Sequence, residues 1–303
     1  MKQAGHQQQQ IAVAIGKSPS AVCRELARNC DGRSGAYSSD LAGRKSALRK
    51  KEKPKSLRFT SDMRLYVERL LSRKYSPEQI AGAALREGRD MVSHERIYQH
   101  VWSDKKRGGT LHTYLRTRGK RYRKRGAAKD SRGIIVGRVD IEQRPSVVEQ
   151  RKRFGDLEMD TIIGKDHKGA ILTINDRATG MLRMRMVQRK EAAVIAQAAI
   201  EVLRPWKHRL HTATSDNGKE FADHQRIAAK LDLEFYFAKP YRSWERGSNE
   251  NLNGLIRQYI PKRTDFSTLS HEFIQHVEDE LNNRPRKRFN FRSPNTTFEH
   301  LTQ

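Results

Sequence analysis

Between Phe154 and Ile260 the hydrophobic pattern switches repeatedly between the period of two that suits a strand and the 3.6 that suits a helix. Residues 154–163 read as a strand in which Asp156, Glu158 and Asp160 share one face. A second strand covers 170–175, and 181–187 alternates cleanly, with Leu182, Met184 and Met186 opposite Arg183 and Arg185. A long apolar helix over 191–203 stops before Pro205, and a strand over 210–215 runs into the turn signal Asp216-Asn217-Gly218. A helix at 219–230, a strand at 233–237 and a helix at 248–260, ended by Pro261, complete the series. This order predicts a mixed α/β domain built on one sheet, occupying 145–303.

The rest of the chain is different in kind. In 303 residues the net charge is +26, and apolar residues make up only 36%. Such an excess repels itself and calls for a polyanionic partner. Two segments concentrate it. Residues 44–58 hold eight basic residues against one acid, and residues 105–132 hold twelve against one. Neither keeps an apolar stripe, so 36–56 and 103–144 are expected to be basic linkers or arms tracking phosphates. Tyr114 and Tyr122 among them either stack on bases or pack. No run approaches the ~20 apolar residues of a membrane span. With Cys23 and Cys30 as the only cysteines, a reducing, cytoplasmic setting is expected.

Two short blocks remain, 1–35 and 57–102, and both read as helix-turn-helix modules. In the first, a helix over 8–15 stops at Gly16-Lys17-Ser18-Pro19, and a second runs from Ser20 to about Arg28. In the second, a helix over 60–73, apolar at Leu65, Leu70 and Leu71, precedes one opened by Ser76-Pro77 with a face of Ile80, Ala84 and Leu85. Ser93 then caps a helix carrying Ile97, Val101 and Trp102. The candidate DNA-contacting residues are Ser18, Ser20, Arg24 and Arg28 in the first block, and Ser93, His94, Arg96 and Gln99 in the second.

Within the α/β block three acids stand out. Asp160 lies in the first strand, Asp216 ends the fourth, and Glu250 begins the late helix, where the dipole favours an ionised carboxylate. On that helix Leu252, Leu255, Ile256 and Tyr259 form the apolar face, while Glu250, Asn253 and Arg257 share another stripe. Three converging carboxylates suit one or two Mg²⁺ ions, which prefer oxygen ligands and support phosphodiester displacement. Any one acid alone is more simply a solvated or salt-bridged carboxylate. Lys239, Arg246, Arg257 and Lys262 are candidates for phosphate contacts, and Asn217 and Asn249 for orienting the acids.

The wording around the acids is specific. Gly155-Asp156-Leu157-Glu158-Met159-Asp160-Thr161, Thr214-Ser215-Asp216-Asn217-Gly218-Lys219-Glu220-Phe221 and Trp244-Glu245-Arg246-Gly247-Ser248-Asn249-Glu250 resemble the insertion sequence 30 family of bacterial transposases. The resemblance extends to Val22-Cys23-Arg24-Glu25-Leu26, Ser76-Pro77-Glu78-Gln79-Ile80, Ser93-His94-Glu95-Arg96-Ile97 and Asn282-Asn283-Arg284-Pro285-Arg286-Lys287. It implies a ribonuclease-H-like, integrase-type catalytic core with a DDE triad at Asp160, Asp216 and Glu250, the last two separated by 33 residues. It further implies two bound Mg²⁺ or Mn²⁺ ions and a homo-oligomer acting on double-stranded DNA, namely inverted-repeat ends and a target. Cleavage and strand transfer would follow without a covalent enzyme–DNA intermediate, since no Ser, Tyr or Cys arrangement for one is visible. Leu157 and Met159 depart from the family pattern on the face opposite Asp160. Family members also carry a full helix before the Gly5-His6 turn, so block one is expected to lack its first helix. The alternative reading is a non-catalytic DNA-binding regulator derived from a transposase.

Overall fold

The computed structural model describes residues 1–2, 4–52, 58–117, 135–239 and 247–302, with the backbone alone at 247, 248 and 250. The chain forms two compact units, residues 1–57 and 58–303.

The first unit holds α1 (Gln8–Ala14), α2 (Pro19–Asn29) and α3 (Ser39–Glu52). Ile11, Ala12 and Val22 make a small core with Leu26 against it, while Val13 and Ile15 stay exposed. The segment 36–56, expected as a linker, is mostly α3. Its sequence has no apolar stripe because polar groups hold it in place. Lys45 donates to the Cys30 carbonyl at 2.6 Å, and Arg49 donates to the Asn29 side chain at 2.7 Å. Cations at the end of α2 meet its negative dipole terminus, a contact that periodicity cannot register.

The second unit begins with α4 (Ser61–Ser72), α5 (Pro77–Arg86) and α6 (His94–Lys106). Thr60, Ser76 and Ser93 cap them, and Gln79 closes a capping box with Ser76. Val67, Leu70, Leu71, Ile80, Ile97 and Val101 form their shared core. Leu65 and Leu85, expected on apolar faces, are instead 68% and 80% exposed. Val67 and Ala83 are the residues that turn inward. Much of the described part of the second expected linker is packed structure. Leu111, Tyr114 and Leu115 join the α4–α6 core, and Ile135 enters the core of the sheet.

After α7 (Val147–Gln150) come β1 (Asp156–Ile163), β2 (Ala170–Asp176), β3 (Leu182–Val187), α8 (Ala192–Leu203), β4 (Thr212–Ser215), α9 (His224–Leu231), β5 (Glu234–Phe237) and α10 (Gly247–Ile256). The strands form one mixed sheet in the order β3-β2-β1-β4-β5. The first three are antiparallel neighbours, and β4 and β5 run parallel to β1. Alternation sends Leu157, Met159, Leu172, Ile174 and Ala213 into one core with α8 and α9. Ile162, Ile171, Leu182 and Met184 enter the opposite core with α10 and α11 (His271–Asn283). The chain closes with α12 (Pro294–Thr302).

α11 and α12 lie beyond the series of elements read from the sequence. α11 covers the edge of the sheet: Asn282 bonds both the N–H and the carbonyl of Leu182 at 2.8 and 2.9 Å, and Glu278 accepts the Met184 N–H at 2.6 Å. These side chains satisfy edge groups that would otherwise be open to another strand. At the other edge the Phe237 N–H donates to the Val139 carbonyl. The start of β1 needs Gly155, whose φ is +102° and where a Cβ would stand 1.8 Å from the Arg209 carbonyl oxygen.

Candidate active site

The parallel register aligns Glu158 of β1 with Thr214 of β4. Asp160 lies two positions further along β1, and Asp216 directly follows Ser215, the last residue of β4, so both acids lie beyond the paired residues toward the same end of the two strands. Asp160 shares its parity with Ile162, on the face covered by α10. Its Oδ1 accepts the Thr161 N–H at 2.9 Å, and its Oδ2 accepts from Asn253 Nδ2 at 2.8 Å. Asp216 Oδ1 accepts the Gly218 N–H at 3.0 Å in the turn after β4. Both carboxylates are therefore oriented by backbone or amide donors.

α10 carries the third acid. Leu252, Leu255 and Ile256 are buried and fasten the helix beneath the sheet, which brings Asn253 onto Asp160. Glu250 is one turn before Asn253 on the same stripe. Among the described side chains no group of three His, Cys, Asp or Glu lies close enough to hold a metal. The side chains of Asp160 and Asp216 are described, whereas Glu250 is placed by its backbone alone.

The buried acids near the pair are occupied otherwise. Glu158 is fully buried and ion-paired to Arg177, which also donates to Glu149 at 2.9 Å. Arg144 donates to Thr214 Oγ1 at 2.8 Å and pairs with Glu149. Burial and the nearby Arg177 push the Arg144 guanidinium below its usual range. Glu220, from the motif around Asp216, accepts from Thr161 Oγ1 at 2.8 Å and pairs with Lys190 at 2.7 Å. This tie across the opposite face of β1 was absent from the sequence reading. Asn217 donates to the Ala238 carbonyl at 2.7 Å, while its Oδ1, Asn253 Oδ1 and Asn249 Nδ2 are buried without a partner among the described residues.

The remaining candidates scatter. Arg257 donates to the carbonyls of Pro261 and Ile163 at 3.1 and 3.3 Å, tying the end of α10 to the end of β1 rather than facing outward. Burial holds its pKa below the ordinary arginine value. Lys239 pairs with Glu142, Lys262 is exposed, and Arg246 lies outside the described residues. Ser18 and Ser93 are helix caps. Ser20, Arg24, Arg28, His94, Arg96 and Gln99 are exposed on α2 and α6, with Arg96 donating to Gln99 at 3.2 Å.

No family model matches the chain. Over 291 residues it is 56% identical to the transposase for insertion sequence element IS4351 of Bacteroides fragilis, covering 96% of this chain and 89% of that protein. The chain belongs to the insertion sequence 30 family of transposases. Transposase InsI for element IS30C of Escherichia coli K12 is 32% identical over 302 residues, covering 95% of this chain and 78% of its own length. The transposase for IS1086 of Cupriavidus metallidurans is 33% identical over 303 residues, covering 94% and 86%. Among solved structures, the catalytic core domain of BIV integrase superposes with a TM-score of 0.38 at 15% identity, over 48% of this transposase and 93% of that chain.

Proposed function

We propose that this transposase cleaves the ends of its element and joins them to target DNA by metal-dependent displacement at phosphodiester bonds, with Asp160, Asp216 and Glu250 as the acidic triad of a ribonuclease-H-like core. The observation that supports this reading is the parallel pairing of β1, which holds Asp160, with β4, which ends just before Asp216, while Asn253 of the helix that bears Glu250 reaches Asp160. The donor set fits a hard divalent cation: two held carboxylates, with the orphaned amide oxygens of Asn217 and Asn253 beside them. Mg²⁺ or Mn²⁺ bound there supplies activation of a water or 3′-hydroxyl and charge neutralisation at the leaving oxygen. The protein's own contribution is orientation. Asn253 and the Thr161 N–H fix Asp160, and the Gly218 N–H fixes Asp216. The buried Glu158–Arg177 pair keeps β1 rigid just before the first acid.

Helices α2 and α6, with their exposed polar and cationic residues, serve as recognition helices of helix-turn-helix modules. Because an element has two ends, two or more copies assemble on the DNA. A nicking assay on duplexes containing the DNA that flanks the gene, with Mg²⁺ or with EDTA, tests the reading. Mg²⁺-dependent cleavage supports it. Tight binding without cleavage by the wild-type protein leaves the regulator reading in its place.

A further inference from the structure

A second electrostatic feature of the second unit is a cluster of cations around a cavity that none of Asp160, Asp216 and Glu250 lines. A cavity of about 320 Å³ is walled by α5, the segment before residue 118, α10 and the stretch 284–288. Its lining includes Lys74, Arg116, Arg284, Arg286, Lys287 and Arg288. Its one carboxylate, Glu78, is committed to Lys287 at 2.6 Å, and the nearby Glu280 is committed to Arg73 at 2.9 Å. Arg284 is buried and donates only to neutral groups, Gln79 Oε1 at 2.9 Å and Gln258 Oε1 at 2.8 Å. Arg286 donates to the Leu281 carbonyl at 2.9 Å. Arg116 reaches Asn251 at 2.8 Å. Among the described residues none of these three guanidiniums has an ion-pair partner.

A buried charge is normally paired. Here burial and the neighbouring guanidiniums push both Arg284 and Arg286 well below the ordinary arginine range, so the folded chain holds positive charge that lacks its counterpart. Leu115, Leu252 and Leu255 line the same cavity and keep its local dielectric low, which strengthens attraction for an anion. Arginine forks match phosphate oxygens better than any other side chain. Position selects the source. Asn251, which Arg116 holds, directly follows Glu250, and Arg116 stands just before the Arg/Lys-rich stretch from 118 to 132.

We propose that the cavity lined by Arg116, Arg284 and Arg286 is a seat for a backbone phosphate of the DNA, separate from the catalytic carboxylates. It locks the α4–α6 helices and the sheet domain into one DNA-bound arrangement. The proposal rests on the reading of the chain as a DNA-cleaving transposase, and it is tested by binding in EDTA, where no cleavage occurs.

The probe is a fixed synthetic duplex, titrated at several salt concentrations with the full-length wild type, Arg286→Gln, Arg286→Lys and Arg116→Gln. Loss of one phosphate contact should flatten the slope of log K against log salt by about 0.9. It should also weaken binding about tenfold near physiological salt. Arg286→Lys, which keeps the charge, should keep the slope. Should Arg286→Gln fail to fold, Arg116→Gln on the exposed rim carries the same comparison. An unchanged slope in the Gln variants overturns the proposal. So does an unchanged slope accompanied by stabilisation of the wild type, but not of Arg286→Gln, by inorganic phosphate; the cavity is then a site for a free anion. A wild type that binds with the expected difference yet never cleaves with Mg²⁺ leaves the cavity standing and removes the catalytic reading.

Discussion

Replacing Arg177 with Met should cost more stability than any loss of a single surface charge. The Arg177 side chain is 1% exposed and pairs with Glu158, which is 0% exposed. Glu149, its other partner, is 62% exposed and can turn to water. Glu158 cannot, because it sits in β1 between its ladder partners Asn175 of β2 and Thr214 of β4. Removing one partner of a buried pair strands the other charge, at a cost of about 3–5 kcal/mol. Glu158→Gln leaves Arg177 with Glu149 and should cost about 1–3 kcal/mol. The double variant Glu158→Gln/Arg177→Met buries no unpaired charge, so its loss should fall short of the sum by roughly 2 kcal/mol. Urea unfolding followed by tryptophan fluorescence, with Trp206 inside the sheet domain, measures all three. Strict additivity, or a loss below about 1 kcal/mol for Arg177→Met, would refute the argument. The same structure predicts that Glu158→Gln retains part of its Mg²⁺-dependent cleavage, since Glu158 is spoken for by Arg177 and is no metal ligand.

Asp160→Asn, Asp216→Asn and Glu250→Gln should each abolish strand cleavage in the nicking assay while leaving DNA affinity nearly intact; activity within about tenfold of wild type, some 1.4 kcal/mol of barrier, would strip that residue of its role. Gly155→Ala should destabilise the sheet domain by roughly 2 kcal/mol or more, from its positive φ and the clash with the Arg209 carbonyl, and a thermal midpoint equal to wild type would contradict this. Asp176, driven up to about 6 by burial against the donors Thr179 and Gly155, binds its proton more tightly folded than unfolded. Its contribution is therefore full below about pH 4 and lost as pH rises through about 6, a change of roughly 3 kcal/mol at most. The stability difference between wild type and Asp176→Asn should fall over that window; a flat difference would remove the burial argument.

Much of this protein was legible in local pattern. Alternation in β1, β2 and β3, the caps Ser76 and Ser93, and the stops at Pro205 and Pro261 depend on residues a few positions apart, which a sequence displays directly. α11 carries equally local marks, a cap at Ser270 and the spacing of Ile274, Val277 and Leu281, yet it lies beyond the elements read from the sequence. Other features depended on partners far along the chain. Parity put Glu158 on the same face as Asp160, and only the approach of Arg177 separates their roles. The stretch that became α3 shows no apolar stripe, because contacts from Lys45 and Arg49 to the end of α2 hold it. Leu65 and Leu85 satisfy a helical pattern yet face out, since which stripe of a helix is buried depends on its neighbours. The parallel pairing of β1, which holds Asp160, with β4, which ends just before Asp216, belongs to the same class, a contact across more than fifty residues that the local sequence does not encode. Sequence thus determined most elements of the sheet domain and the family to which the chain belongs. Tertiary packing alone decided which charges were cancelled and which were left to act, because pairing and desolvation are properties of neighbours in space.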